Sequence, residues 1–187
     1  VNVTPTDAGN LGIILQAGKL MDEQGHALIQ VSNVKVEEVG GEAKTLTFVA
    51  GAPAVTNEGT AAGSMTIADG KLVYDMTAIS TTDYHNKLFL EGITFNANKL
   101  YTVKVTAKAD KEITAKFYLN EMGTWAPFIS RDVTFTTTEQ EFVFAMSEAL
   151  SKDAVMELLW QFGSEANSQL GGAKIEITNI TVESKRV

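Results

Sequence analysis

Apolar residues recur at every second position through most of this chain, and that pattern excludes nearly every architecture except stacked sheets. In Leu100 to Lys108, Tyr101, Val103, Val105 and Ala107 fall on one face and Thr102, Lys104, Thr106 and Lys108 on the other. This is the period of a strand buried on one side. Leu72, Tyr74 and Met76 alternate with Val73, Asp75 and Thr77 in the same way. Further strands are predicted at 45–49, 64–67, 86–90, 113–119, 131–136, 140–146, 155–162 and 173–183. Asp69-Gly70, Asn96 to Asn98, Asp110 and Gly171-Gly172 punctuate them as turns. Only Ser147 to Val155 reads as able to hold a helical turn. Many short strands at such spacing, with no long helix, predict an all-β sandwich of two packed antiparallel sheets.

One strand motif occurs twice. Ala27 to Glu37 (ALIQVSNVKVE) and Ala173 to Glu183 (AKIEITNITVE) share five of eleven residues. Val31/Ile177, Ser32/Thr178 and Val34/Ile180 are conservative pairs. Upstream, Ile14 to Gly18 aligns with Leu159 to Gly163 after a one-residue gap. The second copy ends the sequence, so it reads as the closing hairpin of a domain. Residues 1–39 then read as the tail of an upstream repeat or an accessory strand pair, and residues 40–187 as a complete module. In both copies the apolar phase slips by one: Ile175 and Ile177 are followed by Ile180 and Val182, as Ile29 and Val31 are by Val34 and Val36. A bulge or a switch of faces at Thr178-Asn179 would produce that slip. The first copy carries apolar faces but no partner sheet of its own, so it is expected to dock in cis or exchange with a neighbouring chain.

Charge and composition narrow the partners. A formal net charge of −8 repels a phosphate backbone, and the fifteen Lys and Arg are scattered, so nucleic acid is not an expected partner. No apolar run approaches the roughly 20 residues of a membrane span. The chain has no cysteine, which excludes disulfides and thiolate metal sites and fits an exported protein at least as well as a cytosolic one. The opening VNVTPT has neither the basic nor the apolar region of a signal peptide, which would have to lie outside this sequence.

Catalytic motifs are scarce. His26 and His85 are far apart and have no neighbouring His, so spacing suggests no metal site. Gly12 to Lys19 differs from a phosphate loop in having five residues between the glycines instead of four, and in following Lys19 with Leu20. No GxSxG, HExxH or GxGxxG occurs. Two facing carboxylates, sufficient for a glycosidase, remain open among 23 acids.

An ordered set of short motifs runs from about Ser64 to the end. Asp69-Gly70-Lys71-Leu72 leads a strand, and Tyr84-His85-Asn86-Lys87-Leu88 precedes Glu91-Gly92-Ile93. Asn98-Lys99-Leu100-Tyr101-Thr102-Val103 runs into Ala107-Lys108-Ala109. Trp160-Gln161-Phe162-Gly163 follows, and Ile177-Thr178-Asn179-Ile180 closes the chain. In order and spacing these residues resemble the family-four carbohydrate-binding modules and related jelly-roll modules of bacterial glucanases, laminarinases and xylanases. The resemblance implies a jelly-roll β-sandwich with a concave groove, non-catalytic, that binds β-glucan or a related polysaccharide. It also implies a covalently linked glycoside hydrolase that the module targets, and an extracellular or cell-surface location. The alternative is a structural or adhesive spacer of a multidomain surface protein; a small β-sandwich lyase or hydrolase is a third class.

By position, the resemblance assigns Gln161 to the family's sugar-binding glutamine. Parity agrees, setting Leu158, Trp160 and Phe162 in the core and Gln161 on the opposite face. An amide can bracket two neighbouring hydroxyls with its donor and acceptor. Lys116 matches a basic residue before the family's aromatic loop. Ala126-Pro127-Phe128 matches the loop itself, making Phe128, with Trp125 beside it, the candidate for stacking on a pyranose ring. Core is the expectation for Trp160, Tyr74 and Tyr101.

The Tyr84 segment departs from the family pattern of Trp, His and, three places after the Trp, Gln. Here these are Tyr84, His85 and Lys87. Tyr84 can stack and His85 can bond a hydroxyl, but Lys87 has lost the acceptor half of an amide. Thr178 stands where the family commonly has an Asp tied to a structural calcium ion, and a lone hydroxyl offers a hard cation no charge. No cofactor is required on this reading; a structural calcium ion held by backbone carbonyls elsewhere stays open, but it is not supported at Thr178.

Overall fold

Alternating side chains become two sheets laid face to face. A computed structural model describes residues 41–48 and 53–186. The first copy of the repeated motif, the proposed docking of residues 1–39 and His26 lie outside the described residues. The strands are β1 (Glu42–Thr45), β2 (Pro53–Asn57), β3 (Ala62–Ala68), β4 (Lys71–Ala78), β5 (Asn86–Phe95), β6 (Lys99–Ala109), β7 (Ile113–Glu121), β8 (Pro127–Phe135), β9 (Gln140–Ala145), β10 (Ala154–Gln161) and β11 (Ala173–Arg186). A 3₁₀ turn, Asp83–His85, precedes β5, and a short helix, α1 (Glu165–Ser168), precedes β11.

One sheet runs β3-β4-β11-β6-β9, with β1 also paired to β11; the other runs β2-β5-β10-β7-β8. All ladders are antiparallel. The fold is therefore the jelly-roll β-sandwich that the sequence predicts. Inward residues of both sheets form one core. Phe117 of β7 stacks on Phe144 of β9 with centroids 3.8 Å apart, and the Trp160 ring of β10 lies 5.2 Å from Phe117. Tyr74 of β4 meets Phe162 edge-on at 5.9 Å. The Phe117–Phe144 and Tyr74–Phe162 contacts tie the two sheets together, beyond the burial of the rings themselves, while Trp160 and Phe117 are neighbours within one sheet. Leu158, Trp160 and Phe162 face inward, as do Tyr74 and Tyr101.

Two irregularities re-aim side chains. The register of β11 against β6 shifts between Ile177 and Asn179, so the phase slip in the sequence is a β-bulge at Thr178. The Thr178 hydroxyl donates to the Glu139 carboxylate at 2.9 Å. A second bulge lies in β5 opposite Met156 and Leu158, at Glu91-Gly92, where Gly92 has φ of 80°, a conformation that favours glycine. It lets Leu88 and Leu90 face inward on one side and Phe95 on the other.

Some expectations need correction. Ser147 to Val155 holds no helix, because its polar groups bind the β5–β6 turn: Leu150 O accepts from Asn98 N at 2.9 Å and Asp153 from Ala97 N at 2.7 Å. The helix is instead α1, started by the Ser164 side chain, which accepts from Asn167 N, a local cap that alternation does not reveal. The strand expected at 45–49 is shifted to β1, Glu42–Thr45. Edge strand β2, opened by Pro53, and the first half of β8, opened by Pro127, escaped the period-two reading, since proline is tolerated at a strand's first residue.

Candidate functional site

The outer face of the five-stranded sheet carries the candidate site. Cross-strand pairing orders its side chains into rows. Thr56, Lys87, Gln161, Lys116 and Asp132 form one. Ala54, Phe89, Leu159, Tyr118 and Ser130 form the next. Glu157, Asn120 and Pro127 form a third beside the β7–β8 turn. Leu159 is buried although it points away from the core, and Ala54, Phe89 and Tyr118 in its row are half-buried, so the middle of that row is apolar and lies between two more polar rows.

A recess of about 170 Å³ opens on this face, lined by Tyr118, Asn120, Trp125, Pro127, Leu159 and Gln161. Trp125, in the β7–β8 turn, is 84% exposed. The turn is fixed by Thr124, whose amide and hydroxyl both donate to Glu121 O. Gln161 is only 8% exposed, yet its side-chain amide makes no protein hydrogen bond among the described residues. Its donor and acceptor therefore remain available to a molecule in the recess.

Of the residues singled out in the sequence, Lys87, Gln161 and Lys116 share one row, and Trp125 shares the recess with Gln161. Lys116 is exposed and unpaired among the described residues. Lys87 is held 2.8 Å from Glu58, and the hydrogen bond from Lys87 lowers the Glu58 pKa below the usual carboxylate value. Phe128 is the extra residue where β8 slips against β7 between Leu119 and Asn120. It is exposed but does not line the recess.

Tyr84 and His85 sit on the 3₁₀ turn, at the end of the face opposite Trp125. Gln161 and Met156 mark these two ends on β10, five residues or roughly 17 Å apart along a strand. Tyr84 is exposed, edge-on to the His85 ring at 5.0 Å. His85 Nδ1 lies 2.9 Å from Ser80 Oγ. The turn is anchored from below: Phe162 N donates to Asn86 O and Gly163 N to Asp83 O. A Cβ on Gly163 would come within 1.8 Å of Thr82 O, which explains the glycine that closes the Trp160 to Gly163 motif.

Asn86 holds the same region from inside. Fully buried, it accepts from Ser80 N at 2.9 Å and donates to Ala78 O at 3.0 Å and Asn57 Oδ1 at 3.3 Å. Tyr74 donates to the same Asn57 oxygen at 2.6 Å. Burial pushes the Tyr74 pKa up to about 12, so the phenol stays a donor.

Sequence reasoning passed over Tyr118, Asn120 and Leu159, and noted Pro127 only as part of the loop match. The signal was present for two of them, because period two from Lys116 sets Tyr118 and Asn120 on its face. Among the described residues no three His, Asp or Glu side chains cluster as a metal ion would require, and no helix is long and apolar enough to cross a membrane.

No family model and no curated protein matches the chain. Solved structures do. A chain described as "CBM4 structure and function" is similar with a TM-score of 0.56 and 18% identity, over 71% of this chain and 86% of that one. The second N-terminal cellulose-binding domain of Cellulomonas fimi β-1,4-glucanase C gives 0.55 and 15% identity, over 80% and 94%. A family 29 carbohydrate-binding module gives 0.51 and 11%, over 78% and 90%. The class these likenesses define is the fold of carbohydrate-binding modules, in agreement with the resemblance drawn from the motifs.

Proposed function

We propose that the chain is a non-catalytic carbohydrate-binding module, which binds β-glucan or a related polysaccharide on the outer face of its five-stranded sheet. The carrying observation is a recess lined both by the exposed Trp125 and by Gln161, whose amide has no partner among the described residues. An aromatic face covers the CH side of a pyranose while an amide takes its hydroxyls. Lys116 adds a donor, and Tyr84, at the far end of the face, adds a second exposed ring. The modules similar in fold support this reading. On it, the module is linked to a glycoside hydrolase outside the cell and keeps that enzyme on its polysaccharide.

Each hydroxyl bond nets only about 1 kcal/mol, because water is displaced. Modest affinity is therefore expected, and tandem modules would raise it by avidity. Affinity gel electrophoresis with soluble β-1,3-, β-1,4- and mixed-linkage glucans, xylan and mannan tests the proposal. Retardation by at least one is expected. Migration unchanged by all of them would favour the structural spacer.

A further inference from the structure

One residue that lines the recess carries a buried polar atom with no hydrogen-bond partner among the described residues. Asn120 is 2% exposed and lines the recess, and its Nδ2 donates to Glu157 Oε1 at 3.2 Å. Its Oδ1 is buried and has no hydrogen-bond partner among the described residues. Exchanging the two ends of the amide would not help, since the oxygen would then face the Glu157 carboxylate. A buried acceptor without a donor destabilises the folded state, and an apolar residue of similar shape there would be neutral or stabilising. Folding alone therefore gives no reason for an asparagine at this position, whereas a ligand that brings a donor does.

We propose that Asn120 is a specificity-determining residue of the recess: its Oδ1 accepts a hydrogen bond from a free, uncharged sugar hydroxyl, and the sugar's ring packs against Trp125. This rests on the carbohydrate-binding reading above and narrows it to a class of sugar. Every acceptor around Asn120 asks for a donor, because the carboxylate of Glu157 stands beside it. A hydroxyl supplies one. A uronate has none in its carboxylate and meets the charge of Glu157, and an ether- or ester-blocked hydroxyl has lost its hydrogen. The Oδ1 atom is sealed from bulk water in the unbound protein, so the hydroxyl must enter as the rim of the recess gives. Trp125 is the part of the rim free to give, being bound to solvent on nearly all its surface.

The two tryptophans make this measurable. Trp160 is buried in the core and Trp125 is exposed, so a blue shift of emission on adding a polysaccharide reports the burial of Trp125. The whole chain is titrated with whichever of the soluble glucans, xylan or mannan retards it, with the same polymer after methylation and, where that polymer is a glucan or mannan, also after oxidation of its primary hydroxyls to carboxylates. Asn120→Leu removes the acceptor.

The expected result is a blue shift with the unmodified polymer and weaker binding of each derivative. Asn120→Leu should bind about tenfold more weakly, the effect of one buried hydrogen bond, with an unchanged or raised melting temperature. If Asn120→Leu binds like the wild type, the inference falls while carbohydrate binding stands. If the wild type binds none of the polymers, both fall. Should Asn120→Leu melt lower and lose binding together, the wild-type chain decides: a methylated polymer bound as tightly as the unmodified one overturns the subsite, and weaker binding of it upholds it.

Discussion

Replacing Asn86 by alanine tests whether the turn that presents Tyr84 and His85 is held by one buried side chain. The substitution removes three hydrogen bonds, to Ser80 N, Ala78 O and Asn57 Oδ1. Asn57 keeps the Tyr74 hydroxyl, so the groups stranded are the Ser80 amide and the Ala78 carbonyl. Each stranded buried group costs about 1–3 kcal/mol, and the total expected is about 3–4 kcal/mol. For a chain of 187 residues, about 2–4 °C per kcal/mol converts this to a fall of roughly 10 °C in melting temperature. Differential scanning calorimetry reads it. Asn86→Asp adds a sign. A buried aspartate here faces Ala78 O and Asn57 Oδ1 and folds best protonated, so its folded pKa is raised. Its contribution is present below the unfolded pKa and lost as pH rises through the folded one. That variant should therefore be closest to wild type near pH 4 and furthest from it at pH 7. A melting point for Asn86→Ala within 2 °C or so of wild type would refute the reasoning and show that the turn is held by the backbone bonds of Phe162 and Gly163.

Trp160→Ala, a core deletion against Phe117, should lose about 3–5 kcal/mol in urea unfolding, while Trp125→Ala, at an exposed turn, should stay within about 0.5 kcal/mol. The reverse order would invert the assignment of faces near the end of β10. Acid should weaken the fold through Glu58 and Glu176, whose pKa values lie below the usual 4.5 because of hydrogen bonds from Lys87 and Lys71 respectively. A depressed carboxylate contributes stability that is present above its unfolded pKa and lost as pH falls through the folded one. The Glu58→Gln, Glu176→Gln double variant should thus show a flatter fall in melting temperature below pH 4.5, by a small margin since both pairs are near the surface. An acid limb identical to wild type would assign the acid sensitivity to other carboxylates.

The fold was legible because a sheet residue's fate depends on parity, and parity is a property of the sequence. Tyr101, Val103 and Val105 had to share a face, and Ile177 to Ile180 had to break phase, whichever strands became their neighbours. The same rule separated Gln161 from Trp160. Parity alone leaves the bulges unassigned: Phe128, the extra residue in β8, does not line the recess, while Trp125 does. Local caps and turns also escape a periodic reading, as α1 and the Ser147 to Val155 segment show.

By itself, then, the sequence determined the class of fold, the inward and outward sets on most strands and the motifs that mark their ends. Only the tertiary structure decided which outward residues stand together. Gln161, Tyr118 and Asn120 come from strands about forty residues apart in the chain, and they meet because β10 inserts between β5 and β7. Strand order is set by the packing of whole sheets across a shared core, which no local period encodes. The unanswered oxygen of Asn120 is likewise a fact of assembly, since a polar atom becomes an orphan only when the neighbours that bury it are in place.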